Sequence, residues 1–192
     1  MRHAYHVLTP CTRPENLPAL EKMLTPINVK WHVIMNEGII VDFNPLRCPP
    51  KPEKWNGGCW AINWYILNAE IEAGARYLVL PDDDFYEPWF FDKIDAVDGS
   101  VLIVSMKRGN HTTPDPGYGT DTLVASKENL AHGKIGAEQI VVTGDILRDH
   151  RYGRAADGDW DFISSVTAFH DPVFVPDAFV WFNFLELGRW DK

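Results

Sequence analysis

A chain of 192 residues, 45% apolar with eight tryptophans, can fill one sizeable core, so a single domain is expected. Its net charge of −9 argues against a long nucleic acid or an anionic membrane as the main partner. Cys11, Cys48 and Cys59 are an odd number without paired spacing, and neither a signal-like apolar run nor a stretch of about 18 apolar residues occurs, which together predict a reduced, soluble, cytoplasmic protein.

Residues 4–9 read as a first strand. Pro10 to Pro14 form a loop, with Pro14 holding Arg13 extended. Leu17, Leu20 and Leu24 share one face of a helix that Pro26 closes. Residues 29–35 form a second strand, with Trp31, Val33 and Met35 alternating against Lys30, His32 and Ile34. Strand, helix and strand in that order predict a right-handed crossover and a parallel pair. Ligands of such sheets sit beyond the carboxyl ends of the strands, which places Thr9 to Arg13 and Asn36-Glu37 at one rim. Arg13 there suits a phosphate, and Glu37 suits a ribose hydroxyl or a base, although taken singly Arg13 reads better as a surface arginine and Glu37 as a plain turn acid. Residues 42–58 are a long Pro/Gly-rich loop. A helix from Cys59 to Ala73 follows, with Trp60, Trp64, Leu67 and Ile71 in helical period and Gly74 as its C-terminal stop. Asn63 sits inside it and needs a partner if buried.

Tyr77 to Leu80 is a buried strand stopped by Pro81. Asp82, Asp83 and Asp84 follow without a break, and Glu87 adds a fourth acid. Like charges about 4 Å apart repel by roughly 1 kcal/mol in water and about 4 kcal/mol at a partly shielded site. A solvated acidic turn is the plain reading, and a bound magnesium or manganese ion is the functional one.

Pro88 opens a short helix. Residues 101–106 form another buried strand, and 107–121 a polar loop suited to an acceptor or a lid. Residues 122–125 read as extended, and Ser126 as the cap of a short helix reaching His132. Residues 138–149 read as strand then helical turn, 150–158 as loop, and 159–169 as a helix with Asp159 at its positive end. Strand-like 173–175 and 179–185 are separated by Pro176-Asp177. Asp157, Asp159 and Asp161 are all candidate bases, but Asp157 and Asp161 read better as helix N-terminal acids that stabilise the dipole. Trp55 and Tyr118 are the aromatics best placed to stack on a sugar or base, and His111 and His150 read as surface loop residues.

Taken together, the strand ending in Thr9-Pro10-x-x-Arg13-Pro14, the segment Gly58…Ala61-Ile62-Asn63, the run LVLPDDDFYEP and the triplet Gly158-Asp159-Trp160 resemble the GT-A glycosyltransferases, family 2 in particular. The resemblance spans nearly the whole chain. It implies one α/β/α sandwich with a mostly parallel sheet, residues 1–105 holding a nucleotide sugar and 106–192 the acceptor. It further implies that Asp84 ligates Mn2+ or Mg2+ in a DXD-type motif, that Asp83 meets ribose or metal, and that Asp82 lies beside them as a further ligand. Thr9, Pro10, Arg13 and Glu37 would hold the nucleotide, a UDP-sugar foremost, Asn63 would support the donor, and Asp159 would be the base. Pro81 stands where many relatives have the first acid, and Gly158 where they have the acid before the base. The late metal histidine is matched only by His170 or, alternatively, Asn183. One base and no protein nucleophile imply inversion at the sugar and an acceptor hydroxyl of unknown identity. The shortness of the chain leaves the acceptor site to residues 107–121 and 150–158 or to a second subunit. A nucleotidyltransferase remains the alternative, weakened by a first loop with one arginine and no glycine, and so does an inactive nucleotide-sugar-binding module.

Overall fold

The computed structural model describes residues 2–36, 45–53, 56–109, 122–155 and 157–185. Among the described residues nine strands form one sheet: β1 (Tyr5–Cys11), β2 (Lys30–Asn36), β3 (Leu46–Cys48), β4 (Arg76–Val79), β5 (Phe85–Tyr86), β6 (Val101–Arg108), β7 (Thr122–Leu123), β8 (Ile140–Thr143) and β9 (Val173–Phe182). The α-helices among the described residues cover it: α1 (Leu17–Leu24), α2 (Gly57–Asn68), α3 (Phe90–Asp95), α4 (Gly144–Asp149) and α5 (Gly158–Thr167). The sheet order is β3-β2-β1-β4-β8-β6-β9-β5, with β7 on β6. β1, β2, β3 and β4 are mutually parallel; β8 runs against them, and β6 and β9 return to their direction. The sandwich is α/β/α and its sheet is mostly parallel, as the resemblance implies.

Alternation along the strands divides the core. Leu8, Tyr77, Val79 and Ile103 point to the face packed by α2, α4 and α5. Val7, Leu78, Leu80, Leu102 and Val104 point to the face packed by α1 and α3. With both faces covered, central strands are apolar throughout rather than alternating. Arg76 starts β4 fully buried, yet it donates to the carbonyls of Ile94 (2.5 Å), Val97 (2.6 Å) and Gly99 (3.2 Å). It thus answers the carbonyls at and just beyond the C-terminal end of α3, where a cation also suits the helix dipole.

Several expected elements differ. α2 ends at Asn68, not Ala73, because the Asn68 amide donates to the Trp64 carbonyl (2.8 Å) and Ala69 turns extended. Its inward face is Ala61, Ile62, Tyr65 and Ile66; Trp60 and Trp64 are half-buried, and Leu67 is exposed. The expected helix from Ser126 to His132 is a pair of turns. The Asn129 side chain takes the Val124 carbonyl, and Gly133 adopts φ +76°. β3 arises inside the Pro/Gly-rich loop. β9 is continuous across Pro176-Asp177 through a bulge opposite Val104 and Ser105. The Ser105 hydroxyl steadies it by donating to the Pro176 carbonyl (2.9 Å). Among the described residues no helix is long and apolar enough to cross a membrane.

Candidate active site

A cavity of about 230 Å3 opens at the carboxyl ends of β1, β2 and β4. Pro10 to Arg13 form one wall, and Pro81 and Asp82 the next. The first turns of α2 and α5 close it with Cys59 and Asp159, and Glu138 and Tyr152 complete it. The α2 N-terminus is ordered by Asn56, whose Oδ1 accepts from the Gly58 N–H (2.9 Å).

The acidic turn does three different things. Asp82 is buried, and its oxygens accept from the Thr12 N–H, the Arg13 N–H (2.6 Å), Arg13 Nε (2.7 Å) and Arg13 Nη2. It locks the loop after β1 to the loop after β4 and has little lone-pair capacity left. Asp83 holds the same guanidinium at 2.9 Å from its Oδ1. Asp84 is wholly buried; Oδ1 accepts from the Asn183 N–H (2.8 Å), and Oδ2 has no partner. Burial, then the charges of Glu138 and Asp83, push its carboxyl well above the usual range. Asn183 reaches it from the end of β9 with φ +58°, and the Leu185 N–H donates to the Asp83 carbonyl (2.8 Å). The end of β9 therefore braces the acidic turn.

Asp159 lines the same cavity as Asp82. Its carboxylate takes the Ala137 N–H and the Cys59 thiol (3.5 Å). Burial raises its pKa, and these two donors oppose that rise. Burial, then Asp159, raise Glu138 to about 7, and burial, then Asp159, push the Cys59 thiol up. Of the three candidate bases only Asp159 lines the cavity. Asp157 is exposed beside His132 (3.5 Å), and Asp161 is exposed. Gly158 has a packing reason: a Cβ there would lie 2.5 Å from the Gly153 carbonyl oxygen and 2.8 Å from Cys59 Sγ. An acid in its place has no room.

Other expected site residues lie elsewhere. Asn63 is buried, but its amide donates to the Tyr152 carbonyl (2.8 Å) and accepts from the Tyr152 N–H (3.0 Å). It positions the cavity wall from behind. Thr9 is buried with its hydroxyl on Trp31 Nε1 (2.9 Å). His170 lies beyond the far end of α5, about 15 Å along the helix from Asp159, with its ring 5.9 Å from His150. The structure does not bring it to the acidic turn. Glu37, Trp55, His111 and Tyr118 lie outside the described residues. Among the described residues no group of three or more His, Cys, Asp or Glu side chains is arranged to hold a metal. The unpartnered Asp84 oxygen is instead a single fixed donor. This suits a cation that takes one or two carboxylates and fills its other positions with phosphate oxygens and water. Glu138 and Tyr152 went unnoticed in the sequence, Glu138 because it opens what reads as a plain strand.

No protein-family model and no curated protein matches the chain. Among solved structures it is similar to residues 1–349 of S. aureus TarS, a GT-A glycosyltransferase, with a TM-score of 0.64 and 15% identity over 93% of this chain. The chain has a GT-A-like fold. It spans 60% of that TarS chain. It is also similar to 4-diphosphocytidyl-2C-methyl-D-erythritol synthase, with a TM-score of 0.57 and 8% identity, over 91% of this chain and 89% of that one. The cavity described above occupies the rim where open α/β sheets bind ligands.

Proposed function

We propose that the protein is an inverting glycosyltransferase that moves a sugar from a nucleoside diphosphate, UDP foremost, to an acceptor hydroxyl. What carries the reading is one cavity at the strand ends with Arg13 on one wall and the carboxylate of Asp159 on another. Arg13 binds the donor by offering guanidinium N–H groups to a diphosphate oxygen from the rim while Asp82 and Asp83 hold its plane. Asp159 accepts the acceptor proton. Cys59 and the Ala137 N–H keep that carboxylate oriented, and Tyr152, stacked on Phe162 at 4.2 Å, excludes water behind it. Asp84 would hold Mn2+ or Mg2+, which supplies Lewis-acid neutralisation of charge on the departing diphosphate.

The test is turnover across a panel of nucleotide sugars with simple hydroxyl acceptors, in wild type and in Asp159→Asn. A lost base typically costs about 10²–10⁴-fold in kcat, with donor affinity kept. Equal turnover in both proteins removes Asp159 from the mechanism. Nucleotidyl transfer is the second reading, favoured by the near full-length match to the erythritol synthase. Release of pyrophosphate from a nucleoside triphosphate, with no sugar transferred, would select it.

A further inference from the structure

The rim that carries the cavity continues past β4. β6 and β9 run with β1 and β4, so their carboxyl ends reach that same rim, where ligands of open sheets bind. β6 ends in Arg108, and the parallel register sets Phe182 of β9 beside it. β8 runs the other way, so the short 3-10 turn Ala137–Gln139 that leads into it starts at this rim, between β4 and β6. Gln139 anchors that turn: its Nε2 donates to the Val104 carbonyl (3.2 Å), and its Oε1 accepts from the Gly136 N–H (3.2 Å).

A further cavity of about 130 Å3 opens here, walled by Met106, Arg108, Lys134, Gly136, Glu138 and Phe182 among others. Glu138 and Phe182 also line the cavity of about 230 Å3, so the two spaces adjoin across these side chains. Their charges differ. The larger sets Asp82, Glu138 and Asp159 against Arg13, which Asp82 and Asp83 already hold. The smaller sets half-buried Arg108 and exposed Lys134 against Glu138 alone. Gly136 keeps this junction open, since a Cβ there would collide with both Glu138 carboxyl oxygens. The space far exceeds the roughly 10–15 Å3 that one water needs, so an oxyanion on a short carbon stem fits it.

We propose that the smaller cavity is the acceptor subsite, and that the acceptor is a small hydroxyl compound carrying a phosphate or carboxylate group. This rests on the nucleotide-sugar reading of the larger cavity. Arg108 offers its planar fork to the oxyanion, and Lys134 adds a mobile ammonium. Glu138 repels that anion from the junction, so the hydroxyl end is the one that passes on to Asp159.

Calorimetry on the full chain tests this with sn-glycerol 3-phosphate, glycerate and uncharged glycerol. Each is titrated with and without Mn2+ and saturating uridine diphosphate, which fills the larger cavity. Wild type is expected to bind at least one of the two anions while uridine diphosphate is bound, and glycerol about tenfold or more weakly. The tighter anion identifies the group as phosphate or carboxylate. Lys134→Glu, at an exposed position, and Arg108→Gln are each expected to lose about tenfold or more of that affinity, the scale of one hydrogen bond to a charged group. Both keep uridine diphosphate affinity within about twofold, and Arg108→Lys recovers part of the loss, which a misfolded protein does not do. Wild-type anion affinity in either variant overturns the proposal. So does displacement of the anion by uridine diphosphate, or no anion bound by wild type. Anion binding that is lost in both variants, in a protein that binds no uridine diphosphate, supports the subsite and sinks the nucleotide-sugar function instead.

Discussion

Asp82→Asn separates a structural clamp from a metal ligand. The substitution keeps the shape and puts an NH2 among donors. In the native protein the two oxygens meet the N–H groups of Thr12 and Arg13 and the Arg13 guanidinium, with Asp82 only 1% exposed. Removing one partner of a buried charge pair costs about 3–5 kcal/mol. The Arg13 side chain is 27% exposed and recovers some hydration, so about 3 kcal/mol is the expected loss. At about 2–4 °C per kcal/mol for a chain of this size, the midpoint falls by about 6–12 °C. Urea unfolding measures the loss directly, and a cycle with Arg13→Gln should give a coupling of about 1.5–3 kcal/mol for a hydrogen bond to a charged group. Mn2+ affinity at a temperature where the variant is folded should stay within about threefold of wild type, under 0.7 kcal/mol. A stable Asp82→Asn protein that has lost Mn2+ would refute the clamp.

Asn63→Ala removes both bonds to the Tyr152 backbone, so it should cost about 2–4 kcal/mol in unfolding; weakened nucleotide binding at unchanged stability would mean that Asn63 contacts ligand. Gly158→Ala forces a Cβ against the Gly153 carbonyl and Cys59, an overpacking of about 1–3 kcal/mol read by thermal melting, and a neutral result would show that α5 shifts freely. His6 Nδ1 and His32 Nε2 lie 3.1 Å apart, with Glu72, Lys30, Tyr65 and Tyr77 around them. Burial, then His6, lower His32 from 6.5 to about 4, and burial lowers His6. The unfolded chain therefore binds more protons between about pH 4 and 6.5, and stability should fall by about 3 kcal/mol as pH drops through that window. Urea midpoints of wild type and His32→Gln at pH 7.5 and pH 5 test this, since the variant should lose most of the slope and an equal slope in both would exclude the pair as its source.

The parts of the fold that local pattern could carry were legible. β1, α1 and β2 follow from the leucine period and the proline stops, and the acidic turn follows from Pro81 ending an apolar run. α2 was harder because its tryptophans are large yet only half-buried, while the small Ala61 and Ile62 take the inward face. Local spacing could not reveal partners set by tertiary folding. Asp82 reads like its two neighbours, and only the arrival of Thr12 and Arg13 commits it. Glu138 carries no motif; its place in the cavity wall depends on β8 inserting antiparallel between β4 and β6. His6 and His32 become neighbours only through the parallel register that sets Leu8 opposite His32.

Diffraction from a crystal soaked with Mn2+ and uridine diphosphate tests the central claim most directly. The account predicts the diphosphate in the cavity between Arg13 and Asp159, with the ion against Asp84. Density for the nucleotide elsewhere, such as the second cavity of about 600 Å3 between Lys22 and Phe91, or no nucleotide at millimolar supply, would contradict it.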